Sequence, residues 1–288
     1  MDQIRRLYKS KITNLSFKRK SNSSNNGPRK QPLRRKKSKK SAGFKRLASV
    51  LLVLFFLCPF LFIGYQRLSK KPSWLYPSLG VRIPQQYAIL GIDVSRYQGE
   101  INWEETANSE IPVQFAFLKA SEGTQIKDPS YKRNVTQASK QNIKIGAYHF
   151  FRPELDGKAQ AEYFHKIANP KPGDLPPVLD VEAQGDLTNK ALSESVSAWL
   201  KRESELCNCK PIIYSNLDFY KRIFNKEFPN AHFWIARYGK RKLDILEKDK
   251  RVLFWQFSEE GSVNGIGHLV DLNVFHSDSL ALEALLLK

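Results

Sequence analysis

The sequence Leu175-Pro-Pro-Val-Leu-Asp180-Val-Glu182-Ala-Gln-Gly185 combines a short apolar run with two carboxylates that one valine separates. Successive side chains on a strand point to opposite faces, so Asp180 and Glu182 are predicted to share one face. Two neighbouring carboxylates in a partly dry site resist ionising together, which raises the pKa of one and keeps it able to donate a proton. The stretch therefore predicts a buried strand that ends in an acid/base centre, although such a triplet alone is more typical of a solvated loop.

Similar apolar runs recur on both sides of this stretch, from Tyr87 onward. They are dense in Val, Ile, Leu and Phe, which is typical of strands covered on both faces. Eight strands are predicted, at residues 88–95, 113–120, 144–151, 177–182, 211–216, 232–238, 252–258 and 268–273. Helical patterns are predicted at residues 130–141, 157–168, 188–206 and 217–226, with Thr188 as an N-cap of the third.

The link at residues 259–267, before the last predicted strand, is too short and too glycine-rich for a helix and favours a hairpin-like turn. The eight predicted strands, with helices between the earlier ones and few between the later ones, indicate an α/β fold. Its form would be a modified, TIM-like (β/α) barrel of eight strands with its last helices missing. The alternative is an open doubly wound sheet, but no glycine-rich phosphate fingerprint follows the first strand, which weakens a nucleotide-binding version.

The net charge of the 288-residue chain, +19, would suggest nucleic acid or a membrane surface as a partner. Residues 1–46, however, carry 17 Lys and Arg against one acid, Asp2, so the remainder has a net charge of only +3. Residues 1–46 are predicted to be a basic, disordered cytoplasmic tail. No nucleic-acid partner is expected, because tail and globular part do not share the positive charge.

Residues 47–64 form an uncharged, strongly apolar run of 18 residues, just long enough to span a bilayer as a helix. Lys45 and Arg46 precede it directly, which predicts a cytoplasmic amino terminus. A cleaved signal peptide is the alternative, but no small-x-small cleavage site follows, so an uncleaved signal anchor contacting the lipid bilayer is favoured. Residues 65–87 read as a linker, and residues 88–288 as the barrel domain.

The three cysteines do not make a disulfide framework. Cys58 lies in the apolar run. Cys207 and Cys209 have no second Cys/His pair at zinc-binding spacing nearby, so free thiols or a local disulfide are favoured over a metal half-site.

Carboxylates collect at the ends of the predicted strands. They are Asp93, Glu122, Asp180, Glu182 and Asp271. Aromatic side chains collect at or near the same ends, namely Tyr148, Phe150, Tyr214, Trp234, Tyr238 and Trp255. Aromatic rings pack against the apolar faces of sugars, and carboxylates protonate the leaving oxygen and stabilise an oxocarbenium-like transition state. As a set these residues predict sugar hydrolysis, although each alone has a structural explanation.

Two other chemistries receive less support. His149 is expected to be a hydrogen-bonded structural residue, because no second His or Cys lies at coordinating spacing. Ser95 and Ser215 lack a nucleophile elbow, which argues against a Ser–His hydrolase.

Over about residues 88–277 the sequence resembles the muramidases of glycoside hydrolase family 25, the Chalaropsis-type lysozymes. The catalytic strand of that family matches residues 177–182. The other matching motifs stand in the family's order, at residues 91–103, 117–123, 146–150, 233–238, 255–257, 265–266 and 270–273. Several motifs in the right order make the resemblance far more specific than any one of them.

The resemblance implies a retaining hydrolase of the β-1,4 bond between N-acetylmuramic acid and N-acetylglucosamine in peptidoglycan. It implies that Glu182 is the general acid/base and that Asp180 either attacks or orients the substrate's 2-acetamido group, with Asp93 and Asp271 completing the acidic cluster. The residues expected to contact the sugar are Tyr148, Tyr214, Trp234, Tyr238, Trp255 and Gln256. No metal or organic cofactor is called for.

Two alternatives remain beside this interpretation. The chain could be a catalytically silent peptidoglycan-binding module, which the presence of all four acids argues against, or a hydrolase of another acetamido polysaccharide. The predicted location is the bacterial inner membrane, with a single membrane pass and the catalytic domain in the periplasm or outside the cell.

Overall fold

The structure is a computed structural model, and it describes residue 84 and residues 87–109, 113–239 and 243–288. The basic tail, the apolar run at 47–64 and almost all of the linker predicted at 65–87 lie outside the described residues. Within those described ranges, no helix has the length and apolarity needed to cross a membrane.

Nine strands form a single sheet in the described part of the chain. They are β1 (Ile89–Val94), β2 (Phe115–Glu122), β3 (Ile126–Lys127), β4 (Lys144–Phe150), β5 (Val178–Asp180), β6 (Ile212–Asn216), β7 (His232–Ala236), β8 (Val252–Gly261) and β9 (Val270–Phe275). All except the two-residue β3, which extends β2 as a short hairpin, belong to the barrel.

The helices lie between and after these strands. They are α1 (Trp103–Ala107), α2 (Tyr131–Ala138), α3 (Gly157–Ala168), α4 (Asn189–Cys207), α5 (Leu217–Phe219), α6 (Asn225–Glu227), α7 (Asp244–Lys248) and α8 (Ser279–Leu285). Turns of 3-10 helix occur at Arg96–Gln98 and Ser139–Gln141, and a π-helical turn at Tyr220–Phe224 joins α5 to α6.

The sheet closes on itself, because β1 pairs in parallel with β2 and antiparallel with β9. The remaining barrel neighbours follow the order β9-β8-β7-β6-β5-β4-β2. The predicted eight-stranded barrel is therefore confirmed, and the open doubly wound sheet is wrong. The protein is not a helix-rich TIM barrel, since several of its connections carry only short helices or none.

The last strand runs opposite to the others. β8 and β9 pair antiparallel, as do β9 and β1, in agreement with the hairpin-like turn predicted between them. A link of a few residues cannot return the chain to the start of the barrel, so a parallel crossover is impossible here. The observed strand is Val270–Phe275, where residues 268–273 were predicted, and Asp271 stands near its beginning. The reversal brings Asp271 to the rim where the parallel strands end.

Large aromatic rings fill the inside of the barrel. Phe115 and Phe117 on β2 point inward, where the Phe117 ring stacks on Trp234 with 4.7 Å between ring centroids. A β-carbon at Gly146 on β4 would lie 2.4 Å from the Phe117 ring. Glycine at this position therefore makes room for the ring that supports the floor of the barrel's open end.

The longest helices cover the outside of the barrel. The Thr188 side chain accepts a hydrogen bond from the Ala191 backbone N–H, 3.2 Å away, which confirms the predicted N-cap of α4. Phe164 on α3 and Trp199 on α4 are fully buried against the sheet. The burial of these two rings holds the strands in place beneath α3 and α4.

Several boundaries differ from the predictions. β5 ends at Asp180 and β7 at Ala236, so Glu182 and Tyr238 stand just beyond their strands. The short helices α1, α7 and α8 were not predicted, because five to seven residues carry little periodicity. Of the two states left open for the cysteine pair, the structure shows the local disulfide between Cys207 and Cys209.

Candidate active site

A pocket of about 300 Å³ opens at the end of the barrel where the parallel strands finish. Its walls carry most of the residues selected from the sequence. The predicted residues that line it are Asp93, Tyr148, Asp180, Glu182, Tyr214, Trp234, Tyr238, Gln256 and Asp271. Phe150, also selected as a strand-end aromatic, lines the pocket too, as do Tyr97, Gln98, Lys119 and Glu259.

Asp93 lies at the base of the pocket and is 6% exposed. Its Oδ2 atom accepts hydrogen bonds from Gln256 Nε2 and from Asn273 Nδ2, both at 2.8 Å. Burial raises the pKa of Asp93, and the hydrogen bonds from Asn273 and Gln256 oppose that rise. Two amide donors on one oxygen fix the carboxylate in a single orientation.

Asp271 faces Asp93 across the β1–β9 pair. Burial first and the charge of Asp93 second raise the pKa of Asp271. The hydrogen bond between the two carboxyl groups lowers the pKa of Asp93 and raises that of Asp271. Asp271 therefore keeps the proton of this pair and donates it to Asp93.

Gln256 connects the base of the pocket to two tyrosines. Its Oε1 atom accepts hydrogen bonds from the hydroxyl groups of Tyr214 and Tyr238, both at 2.7 Å. Its amide nitrogen is already committed to Asp93, so the amide orientation is determined. Gln256 thereby holds both phenols at defined positions on the pocket wall.

Asp180 ends β5 and is 5% exposed. Burial, followed by the charges of Glu182 and Asp93, raises its pKa well above the usual value. Its Oδ1 atom is buried and has no hydrogen-bond partner among the described residues. A buried acceptor without a partner is costly in a folded protein, and the carboxyl group that carries it lines the pocket.

Glu182 stands two residues further along, and its side chain is exposed at the mouth of the pocket. Partial burial and the charge of Asp93 raise its pKa, while Lys119 opposes the rise. A carboxyl group with a raised pKa beside solvent can give up a proton and recover it. Asp180 and Glu182 thus line one pocket, as the alternation predicted.

Glu122, which the sequence also suggested as a strand-end acid, belongs to an ion cluster beside the pocket. Its Oε2 atom accepts a hydrogen bond from Lys119 Nζ at 2.8 Å, and its Oε1 atom accepts one from Arg152 Nε at 2.9 Å. Burial alone would raise the pKa of Glu122, but these two cations outweigh it and lower the pKa. Glu122 is therefore an ionised partner of two bases, and no proton donor.

His149 is buried behind the pocket and is hydrogen-bonded, as expected. Its Nδ1 atom lies 2.9 Å from Ser121 Oγ, and its Nε2 atom lies 3.2 Å from Gln160 Oε1. The Gln160 oxygen also accepts the backbone N–H of Arg152, so Nε2 is the protonated nitrogen that donates to it. Burial lowers the pKa of His149 to about 4, which keeps the ring neutral at neutral pH.

Trp255, selected from the sequence as a sugar contact, does not line the pocket. Its ring is buried on the outer side of the sheet, packed edge-on against Tyr87, and its Nε1 donates to the Arg237 carbonyl at 2.8 Å. The physical reason is strand alternation, since Gln256 on β8 points into the barrel and its neighbour must point outward. The prediction that both Trp255 and Gln256 contact the sugar was therefore wrong for Trp255, whose side chain points away from the pocket.

Lys119, Tyr97 and Gln98 line the pocket but were not selected from the sequence. Lys119 had a usable signal, because it is a charged residue on the face of β2 that also carries Phe117. Tyr97 and Gln98 lie in the 3-10 turn after β1, where no periodic pattern in the sequence indicates which way a side chain points. Gln98 Nε2 donates to the Leu269 carbonyl at 3.1 Å, a contact only the fold creates.

The pocket combines a buried, hydrogen-bonded pair of carboxyl groups, a solvent-facing carboxyl group with a raised pKa, and aromatic walls. Among the residues that the structure describes, no group of three or more His, Cys, Asp or Glu side chains could hold a metal ion. Such an arrangement can protonate a glycosidic oxygen and stabilise positive charge on the adjacent carbon.

A closed α/β barrel with this pocket at its strand ends defines a glycoside hydrolase. The family model for Glycosyl hydrolases family 25 matches residues 92–266. The chain belongs to glycosyl hydrolases family 25, which confirms the resemblance found in the sequence.

Similar proteins agree with this membership. The Escherichia coli (strain K12) protein YegX, itself described as uncharacterized, is 40% identical over 210 residues, or 72% of this chain and 76% of YegX. Lysozyme M1 of Streptomyces globisporus is 32% identical over 210 residues, 68% of this chain and 71% of that protein. The crystal structure of the bacterial lysozyme from Streptomyces coelicolor matches with a TM-score of 0.64 at 31% identity, covering 69% of this chain and 96% of the other.

Proposed function

We propose that the protein is a lysozyme, an N-acetylmuramidase that hydrolyses the β-1,4 bond between N-acetylmuramic acid and N-acetylglucosamine in peptidoglycan. The observation that carries the proposal is the pairing of Asp180 and Glu182 in one pocket, with unequal exposure and raised pKa values. Family membership and the similarity to Lysozyme M1 support this choice of substrate.

Glu182 is the general acid/base in this proposal. It stands at the pocket mouth, where a protonated carboxyl group can reach the oxygen of a bound glycosidic bond and exchange its proton with water afterwards. Its raised pKa keeps the proton available at a pH where an ordinary glutamic acid has lost it. Activity should therefore fall as the pH rises through the pKa of Glu182.

Asp180 accepts a hydrogen bond from the substrate's 2-acetamido N–H and orients that group for attack on the anomeric carbon. Its carboxyl group is largely buried, lines the pocket and has an oxygen without a partner among the described residues, which supports this role because an amide N–H can donate to the group. The route proceeds with retention and needs one proton donor and one anion near the ring. Direct attack by Asp180 is the alternative form of the same retaining reaction.

Asp271 holds the proton that it donates to Asp93, so this pair keeps one negative charge near the developing oxocarbenium ion. The rings of Tyr148, Tyr214, Trp234 and Tyr238 form the walls that contact the sugar. Gln256 fixes the positions of Tyr214 and Tyr238 by accepting a hydrogen bond from each hydroxyl group.

The test is digestion of purified peptidoglycan by the full-length chain in mild detergent, with mass analysis of the released ends and proton NMR of their anomeric configuration. The proposal predicts new reducing ends that are N-acetylmuramic acid, with the β configuration retained at the earliest time points. Reducing ends of N-acetylglucosamine would contradict the assigned bond, and inversion would contradict the role of Asp180.

The same experiment also tests the two alternative functions. Binding to peptidoglycan without release of any end would indicate a silent binding module. Release from chitin but not from peptidoglycan would indicate a hydrolase of another acetamido polysaccharide.

We further propose that residues 47–64 anchor the enzyme in the bacterial inner membrane, with residues 1–46 in the cytoplasm and the barrel outside it. The support is the uncharged apolar run directly after Lys45 and Arg46. The disulfide between Cys207 and Cys209 fits an oxidising compartment. Alkaline carbonate extraction of membranes should leave the full-length chain in the pellet, and its release into the supernatant would contradict the anchor.

A further inference from the structure

The acidic and basic side chains that line the pocket are strongly unequal in number. Five acidic side chains line it, those of Asp93, Asp180, Glu182, Glu259 and Asp271. Among the described lining residues, Lys119 is the single cation. Lys119 is therefore the place in the pocket where a negatively charged substrate group finds an opposite charge.

The fold directs Lys119 to this place. Phe115 and Phe117 precede it on β2 at alternate positions and fill the barrel interior, so Lys119 is the next inward side chain and the first to reach the pocket. Its ammonium lies 4.6 Å from the centroid of the Phe150 ring, which also lines the pocket. The side chain is 13% exposed, so its charge is largely removed from bulk water.

The charge of Lys119 is held in place without being cancelled. Its ammonium donates to Glu122 at 2.8 Å, and the same carboxylate is neutralised from the other side by Arg152. Lys119, Glu122 and Arg152 together carry a net charge of +1. An ammonium has three N–H donors, and within the described residues Glu122 is the one hydrogen-bond acceptor of Lys119.

We propose that Lys119 is a specificity-determining residue that binds the carboxyl group of the lactyl ether on muramic acid. This inference rests on the proposed function. The lactyl ether distinguishes muramic acid from glucosamine, and its carboxyl group is either free or joined to a peptide. The free carboxylate forms an ion pair with the ammonium, and the peptide-linked carbonyl accepts a hydrogen bond from it.

The test compares two glycan strands that differ at this carboxyl group alone. One is a peptide-free strand with the lactyl carboxylate intact, and the other is the same strand after reduction of the carboxyl group to the alcohol. The full-length wild-type chain is expected to cleave the carboxylate strand with a kcat/KM about ten- to a hundredfold higher, since a charge-assisted hydrogen bond is lost with the reduced strand.

The Lys119→Met chain should cleave the two strands with a ratio near one, and Lys119→Arg should restore most of the preference. The ratio is the readout because loss of the ammonium also changes the charge near Asp180 and Glu182, which affects both strands equally. Lys127→Met, at an exposed lysine on β3 that does not line this pocket, is the matched control and should keep the wild-type ratio.

Two results would overturn the inference. A wild-type chain that cleaves both strands equally shows no recognition of the carboxyl group. A Lys119→Met chain that keeps the preference, whether or not it slows on both strands, places the recognition elsewhere and leaves Lys119 a counter-charge for the acids. Release of no ends from either strand by the wild type is a different failure, that of the muramidase itself, and it removes this inference too.

Discussion

Two tryptophans that the sequence treats alike stand on opposite sides of the sheet. Trp234 is 2% exposed, lines the pocket floor and donates from Nε1 to Asn273 at 2.9 Å. Asn273 in turn donates to Asp93. Trp255 is fully buried on the outer face, with its Nε1 bonded to the Arg237 carbonyl.

We predict that Trp234→Phe lowers kcat/KM on peptidoglycan by roughly tenfold or more, because it leaves the Asn273 oxygen unpaired and loosens the support of Asp93. Trp255→Phe should keep kcat/KM within about twofold and lower the unfolding free energy by about 1–2 kcal/mol. Steady-state kinetics and thermal melts of both variants check this. A larger activity loss for Trp255→Phe would contradict the placement.

At the scale of single residues, the acids and the aromatic rings selected from the sequence line the pocket with one exception each, Glu122 and Trp255. The acids sit at strand ends, and the topology of a barrel brings strand ends together whatever their detailed direction. A ring contacts substrate only if its side chain points inward, and a one-residue difference reverses that direction. Hence Asp93 and Asp180 line the pocket while Trp255 does not.

The β8–β9 hairpin is the element on which the pocket depends most directly, because it carries Asp271 to the rim. A β-carbon at Gly261 would lie 2.5 Å from Leu272 Cγ and 2.7 Å from the Val270 carbonyl oxygen. The backbones of the hairpin can approach this closely only without a side chain at residue 261. Gly267 in the connecting turn has no atom within 4 Å of such a β-carbon.

Gly261→Ala should therefore lower the unfolding free energy by about 1–3 kcal/mol, the usual cost of overpacking. It should also reduce kcat, since the displaced hairpin moves Asp271 away from Asp93. Gly267→Ala is the matched control and should change neither the unfolding free energy nor kcat by a measurable amount. Denaturant melts and peptidoglycan kinetics of the two variants test this, and equal behaviour would argue against a tightly packed hairpin.

The elements were predictable to the extent that their apolar pattern is local. All eight barrel strands have dense apolar runs because helices or loops cover them on one side and the barrel core on the other. The antiparallel direction of β9 followed from the short glycine-rich link. The pairing of β1 with β9 that closes the barrel joins the first strand to the last, with Ile89 opposite Phe275, and no local pattern specifies it.

At the scale of the whole molecule, several buried carboxyl groups favour the protonated form. Glu203 on α4 is fully buried, with Oε1 3.1 Å from His165 Nδ1 and Oε2 without a partner among the described residues. Burial raises the pKa of Glu203 to about 8, against the nearby charge of Arg202. The folded state therefore holds this proton more tightly than the unfolded state does.

For such a group the stabilising contribution is fully present below its unfolded pKa, near 4.3, and is lost as the pH rises through about 8. We predict that the melting temperature of the full-length chain falls between pH 5 and pH 8. Glu203→Gln should make this fall smaller and raise the melting temperature at pH 8 by a few degrees, on the order of one or two kcal/mol. Glu194→Gln, at an exposed glutamate of the same helix, is the control. Calorimetric melts across this pH range test the prediction. If the melting temperature of Glu203→Gln falls with pH as steeply as that of the wild type, the prediction is contradicted.

The measurement that tests the central claim most directly is the rate at which Glu182→Gln releases N-acetylmuramic acid ends from purified peptidoglycan. Glu260→Gln, at an exposed glutamate on β8 that does not line the pocket, serves as the matched control. Because glutamine has no proton to donate, Glu182→Gln should lose at least about a thousandfold in kcat while still binding the wall and melting like the wild type. Near-wild-type release by Glu182→Gln would contradict the assignment of Glu182 as the acid of a muramidase.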